Sequence, residues 1–319
     1  MLEYLGFRTV EGLAGILPAG LQYAIARRVA DACYLLDRRG REGLMDNLRG
    51  VLGPGAPEVL VRLEARGAFH SFGMYLCEFF GHKRLGGRFI AEHVVILGRE
   101  NLEAALARGR GAIFCSGHYS NWEFGASIVA HLGYPITIVV QMHSDPRIAG
   151  LFVQQRLKAG VSVVPSQHGA KGALKALRQN QTVALMGDRP TGGPVIPVRF
   201  FGRQTCLPQG PWRIGLLSGA ALLPTFMQRR FNGGFTLEIG APLQVPAEGA
   251  LGERMAALAQ AWADCFSARL RADPGQWAAF RSVWQAGVPA AQPENLSCMA
   301  GGERQLTVVG DGTSKEAGR

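Results

Sequence analysis

From about residue 96 the chain alternates short apolar runs with helical segments, and this alternation limits the fold more than any other feature. The strand candidates are residues 111–115, 136–140, 161–164, 182–187 and 221–227, each flanked by Gly, Pro or polar residues. Helices are expected between them, near 121–132, 146–159, 170–179 and 209–219. Strands separated by helices pair into a sheet with helices on both faces, so the reading is an α/β fold with a mixed central sheet. A hairpin-like stretch at 236–245 and a helix at 250–271 close this domain, expected over residues 96–285.

Residues 1–95 read as helical. Val10 to Ala26 is apolar apart from Glu11 and Gln22, with Pro18 in its middle, and is followed by Arg27, Arg28, Arg38, Arg39 and Arg41. Such a run is short and broken for a bilayer span, and no small-residue cleavage site follows a basic start. The expectation is an interfacial, membrane-associating region: apolar residues in the acyl boundary and arginines on anionic headgroups. An amphipathic helix packed on its own domain fits the same pattern. Val59 to Phe80 is a further apolar-faced helix expected to cover the α/β domain. Residues 286–319 are rich in Gly, Ala, Pro and polar residues without periodicity, and are expected to be a disordered tail.

The charge balance is +10, from 34 Lys plus Arg against 24 Asp plus Glu, which suits an anionic partner. No basic stripe interleaved with aromatics and no zinc-finger spacing is present, so nucleic acid falls behind a bilayer surface or an acidic carrier protein. The six cysteines are scattered without a CxxC pair, as buried free thiols in a reducing compartment would be. His143 and His168 have no companion at metal-ligand spacing, so neither metal nor cofactor is expected. No GxSxG elbow, phosphate-binding Walker loop or GxGxxG is found.

The chemistry points to Cys115-Ser-Gly-His118-Tyr-Ser-Asn121-Trp-Glu123. His118 follows a buried strand and Asn121 can cap the next helix, and open α/β sheets place ligands at such carboxyl ends. An imidazole there can take a proton from a hydroxyl, and Glu123 could hold its tautomer and stabilise the imidazolium. On spacing alone the pair also fits a structural histidine and a first-turn carboxylate. Cys115 could be a thiol nucleophile, though its place inside the strand opposes that. Asp188, at the end of another strand before Arg189-Pro-Thr-Gly-Gly, is a site candidate or a turn former. Arg156 could bind a phosphate or a carboxylate, or be a surface arginine. Phe200 and Phe201, with Arg199 and Arg203, fit an acyl-chain wall beside phosphate-binding cations; they fit ordinary core equally.

Together these residues resemble the bacterial lipid A biosynthesis acyltransferases, the late lauroyl- and myristoyltransferase group of the glycerolipid acyltransferase superfamily. That superfamily is marked by a His, four intervening residues and an acid, and His118 to Glu123 matches the branch in which the acid is Glu. Arg156, Asp188 in Met-Gly-Asp-Arg-Pro, Phe200-Phe201-Gly202, Pro208 and Gly210 match in order. Asp273-Pro-Gly-Gln-Trp277 to Phe280-Arg281 is similar to the family's closing Pro-Glu-Gln-Trp…His-Arg-Arg element, with Gly275 and Phe280 departing from it.

The resemblance implies a glycerolipid acyltransferase-like fold and a monotopic enzyme, or one with a single N-terminal anchor, on the cytoplasmic face of the inner membrane. The implied reaction moves a fatty acyl group from acyl carrier protein, or from acyl coenzyme A, to a hydroxyl of a lipid A precursor without a metal. His118 would be the general base and Glu123 its partner. Arg156, Arg189 and Asp188 would bind or orient substrate, and backbone N–H groups at the Asn121 helix start would meet the oxyanion. Another glycolipid acceptor, such as a phosphatidylinositol mannoside, or a lysophospholipid is the alternative.

Overall fold

A computed structural model describes residues 1–81, 85–190 and 192–284; the expected tail at 286–319 lies outside the described residues. Five helices come first: α1 (Leu2–Ile16), α2 (Ala19–Leu36), α3 (Arg38–Leu52), α4 (Glu58–Phe80) and α5 (Gly87–His93). The apolar stretch read across Pro18 is therefore two helices. Leu17 is extended and Pro18 becomes the N-cap of α2, as the missing proline N–H requires. Among the described residues no helix is long and apolar enough to cross a membrane.

The alternation then unfolds in order. β1 (Val94–Leu97) and α6 (Arg99–Ala107) lead to β2 (Ala112–Ser116), α7 (Trp122–His131) and β3 (Ile136–Val140). Next come α8 (Pro146–Lys158), β4 (Val161–Pro165), α9 (Gly169–Arg178) and β5 (Thr182–Met186). A ribbon of β6 (Val195–Phe200) and β7 (Arg203–Pro208) precedes α10 (Gly210–Ser218), β8 (Ala221–Arg229), β9 (Phe235–Ile239) and α11 (Leu251–Ala272).

Seven strands form one sheet in the order β1-β9-β8-β2-β5-β3-β4, parallel throughout except where β8 meets β9. The sheet is thus mixed and flanked by helices, as the alternation implies. β1 straddles the expected boundary at residue 95, its first two residues falling in the stretch read as helical. The antiparallel hairpin joins β8 to β9 rather than filling 236–245; beyond Ile239 the chain leaves the sheet.

Burial follows the pleat. On β2, Ile113 and Cys115 enter the core under α9, α10 and α11, whereas Ala112 and Phe114 enter the one under α6 and α7. Both faces are covered, which is why β2 reads as continuous apolar sequence rather than an alternating one. The first core holds Trp212, Trp262, Phe266 and Trp277, all fully buried. A third cluster joins Phe7 of α1, Tyr75, Phe79 and Phe80 of α4 and Phe152 of α8, and so packs the N-terminal helices against the α/β layer.

Candidate active site

Two strand ends create the site. β2 and β5 are parallel neighbours with Ser116 opposite Met186, and the Gly187 N–H donates to the Ser116 carbonyl at 2.8 Å. Two residues past each strand stand His118 and Asp188. After β2 the chain crosses to β3 on one side of β5; after β5 it goes to β8 on the other side of β2. Connections that leave in opposite directions open a crevice at the carboxyl ends.

The His118 Nδ1–H donates to Asp188 Oδ1 at 2.8 Å, and the His118 backbone N–H donates to Oδ2 at 3.1 Å. Asp188 is buried, which by itself raises its carboxyl pKa. The His118 charge and hydrogen bond outweigh that, with Arg189 and the Trp277 N–H, and hold the group well below the usual carboxylate range. An ionised Asp188 accepting from Nδ1 leaves Nε2 as the basic nitrogen. The His118 side chain is 15% exposed, lies edge-on to Trp122 and lines the main cavity.

The sequence reading paired His118 with Glu123, and here the structure differs. Glu123 sits in the first turn of α7, and its carboxylate takes the Arg156 guanidinium of α8 at 2.6 Å. Helical geometry carries Glu123 sideways toward α8, whereas strand register carries Asp188 directly to His118. Arg156, whose guanidinium also lies 5.7 Å from each of the stacked Phe79 and Phe152 rings, is nearly buried rather than a surface arginine. Its pKa is nevertheless raised: burial alone would lower it, and Glu123 more than compensates.

Asn121 is the helix cap the sequence suggested, its Oδ1 accepting from the Phe124 N–H at 2.9 Å. Its side chain does not line the main cavity: the residue is fully buried and its amide N–H donates to Glu78 at 2.7 Å. Glu78 also accepts from Tyr23 and pairs with the Arg229 guanidinium. This network under the His118 turn escaped the sequence reading. A signal was present: one carboxylate in the apolar run Cys77-Glu78-Phe79-Phe80 needs a buried cation. Arg189 lines the cavity and donates to the Ala278 carbonyl at 3.3 Å.

The cavity has a volume of about 570 Å³. His118, Glu123, Arg156, Arg189 and Arg213 contribute polar groups, and Phe114, Ala126, Val129, Ile136, Ile138 and Met227 contribute an apolar wall. A slot with charged groups beside an apolar depth suits an amphiphile with a long tail. Phe200 does not line it; the residue is 2% exposed and its ring stacks on Phe266 at 6.2 Å, so Phe200 is core, with Phe201 half-buried against it. Pro208 and Gly210 do line it. Cys115 is fully buried and its thiol is pushed up by desolvation, which suppresses the thiolate a nucleophile needs. Of the five described cysteines only Cys115 is buried, fewer than their apolar neighbours suggested.

A histidine–carboxylate pair at a sheet crevice, opening on an apolar cavity, is equipped for general-base chemistry on an amphiphile, and similarity to known proteins sets the class as enzymes that transfer acyl groups. The chain belongs to the bacterial lipid A biosynthesis acyltransferase family, whose model matches residues 2–286. It is 30% identical over 275 residues to the phosphatidylinositol mannoside acyltransferase of Mycobacterium tuberculosis, covering 83% of this chain and 84% of that one. Identity to the enzyme of the same name from Mycolicibacterium smegmatis is 28%, over 88% of this chain and 89% of that one. The lipid A biosynthesis lauroyltransferase of Escherichia coli is 27% identical over 168 residues, 52% of this chain and 54% of that one. The chain is therefore an acyltransferase of the lipid A and glycolipid type.

Proposed function

We propose that the enzyme moves a fatty acyl group from an acyl-carrier or coenzyme A thioester to a hydroxyl of a membrane glycolipid, with His118 as general base. The observation that carries this is the 2.8 Å bond between His118 Nδ1 and Asp188, which leaves Nε2 basic at a cavity with an apolar depth. Nε2 takes the proton of the acceptor hydroxyl as its oxygen attacks the thioester carbonyl. The imidazolium that forms is stabilised by Asp188, and returns the proton to the departing thiolate. The free backbone N–H groups at the start of α7 would meet the developing oxyanion. Arg156, fixed by Glu123, and Arg189 offer cationic groups to a phosphate or headgroup at the mouth.

For the acceptor, the family model supports a hydroxyl of a lipid A precursor. A hydroxyl of a phosphatidylinositol mannoside is favoured by the longer span of similarity, 83% of the chain against 52%. The anchor reading also has a physical basis. Leu21, Ile25, Val29 and Leu36 are exposed along one side of α2, next to Leu13 and Ile16 of α1. Arg27, Arg28, Arg38 and Arg39 are also exposed, with Arg28 on the same side of α2. An apolar stripe flanked by arginines suits the surface of an anionic bilayer.

The test supplies purified enzyme with palmitoyl and lauroyl thioesters of acyl carrier protein and of coenzyme A. Each is paired with phosphatidylinositol dimannoside or a tetra-acylated lipid A precursor. A mass increment of one acyl chain on either lipid is expected, and His118→Ala should reduce the rate by about 10²–10⁴-fold. Wild-type transfer by folded His118→Ala, or thioester breakdown with neither lipid acylated, overturns the reading.

A further inference from the structure

The segment that follows α11 reaches across the molecule to the His118 turn. The Ser120 N–H donates to the Gln276 carbonyl at 2.8 Å, and the Ala278 N–H donates to the His118 carbonyl at 2.8 Å. Tyr119 and Trp277 form an antiparallel bridge between them. Ser120 has a φ of 55°, a left-handed conformation that a serine holds only when its surroundings fix it. The strap is itself anchored on β8. The Gln276 side chain accepts from the Arg229 N–H at 2.8 Å and donates to the Arg229 carbonyl at 2.9 Å, as a neighbouring strand would. From this strap the Trp277 indole N–H donates to Asp188 Oδ2 at 3.1 Å.

We infer that Trp277 is a positioning residue for the reaction, acting through Asp188; this rests on the general-base reading given above. Asp188 Oδ2 has two fixed donors, the His118 backbone N–H and the Trp277 indole N–H. Together they turn the carboxylate so that Oδ1 lies in line with Nδ1. The indole is fully buried and set edge-on against Phe266 and Phe200, so its N–H direction is fixed by packing. Without that donor the carboxylate can rotate about its Cβ–Cγ bond, and the imidazole loses its orientation toward the acceptor hydroxyl. Substrate binding is untouched, because Trp277 does not line the cavity.

The experiment is a double-mutant cycle on the full-length enzyme, read as consumption of palmitoyl coenzyme A in the presence of phosphatidylinositol dimannoside. Trp277→Phe keeps a ring and removes the N–H; Trp277→Met replaces it if the first variant fails to fold. The expected result is a fall in kcat of about 10- to 100-fold with KM unchanged, the scale of one hydrogen bond to a charged group. In an Asp188→Ala background the same substitution should cause no further fall. Full kcat in the single variant, a rise in KM alone, or the same fold-loss in both backgrounds overturns the inference. His118→Ala is run alongside. If it is inactive while Trp277→Phe is fully active, only this inference fails; if it is as active as wild type, the general-base reading fails first.

Discussion

His118 and Asp188 face each other because both lie two residues beyond the register-matched pair Ser116 and Met186, which brings Nδ1 and Oδ1 to 2.8 Å. Asp188→Asn tests what that contact does. The two N–H donors on Oδ2 would claim the amide oxygen, turning the NH₂ toward Nδ1 and forcing the proton onto Nε2. A wrong tautomer of this kind lowers kcat by about 10³–10⁴-fold with little change in KM. The stability effect has a defined sign. The folded pKa of Asp188 is held well below the usual carboxylate range, so its contribution is present above about pH 4 and is lost as pH falls through the folded value. Urea midpoints of wild type and variant should therefore differ at pH 7, with the difference beginning to narrow between about pH 4 and pH 3. A constant difference across that range would show that the carboxylate is not linked to folding.

Glu123 and Arg156 form a pair whose side chains are about a tenth exposed. Glu123→Gln leaves a nearly buried guanidinium without its counter-charge, an event that costs about 3–5 kcal/mol. Adding Arg156→Met should recover most of that stability. Denaturant melts of the three proteins check this, and a Glu123→Gln protein as stable as wild type would contradict it.

Gly125 lines the cavity on α7, and a Cβ there would meet Leu237 and Met227 at 3.6 and 3.7 Å, ordinary contact distances. A longer side chain must enter the cavity. Gly125→Leu should shift donor preference toward shorter chains, each methylene left unburied costing about 0.8 kcal/mol. Competing acyl coenzyme A donors of ten to about eighteen carbons, resolved by mass spectrometry, give the profile. An unchanged profile would place the acyl chain elsewhere.

Ile25 and Val29, each 40% exposed on α2, touch the solvent rather than the core. Replacing both with Asp should reduce sedimentation with phosphatidylglycerol vesicles at least about tenfold while leaving the melting temperature near wild type. Equal vesicle binding would remove this stripe from the anchoring surface.

The alternation from residue 96, the strand before His118 and the Asn121 cap were readable because each depends on neighbours in sequence. β6 and β7 were not. Pro197 disguises β6, and the connecting turn uses Phe201 and Gly202 at φ 49° and 76° instead of the usual Asn-Gly. β1 is four residues long and pairs with β9, far along the chain, so no local pattern announces it. The partner of His118 was misassigned for the same reason. Glu123 is five positions away, whereas Asp188 is 70 positions away and is placed by inter-strand register, which one sequence does not display. The pairing of Arg156 with Glu123 was not legible either, since it depends on how α7 and α8 lie together.

The bonds from Gln276, Trp277 and Ala278 to the His118 turn also set a schedule for biosynthesis. While a ribosome is still extending the chain through the sheet, the histidine turn has no strap and Asp188 lacks its indole donor. The turn therefore takes its final form only after the strands, helices and closing segment have all emerged and docked.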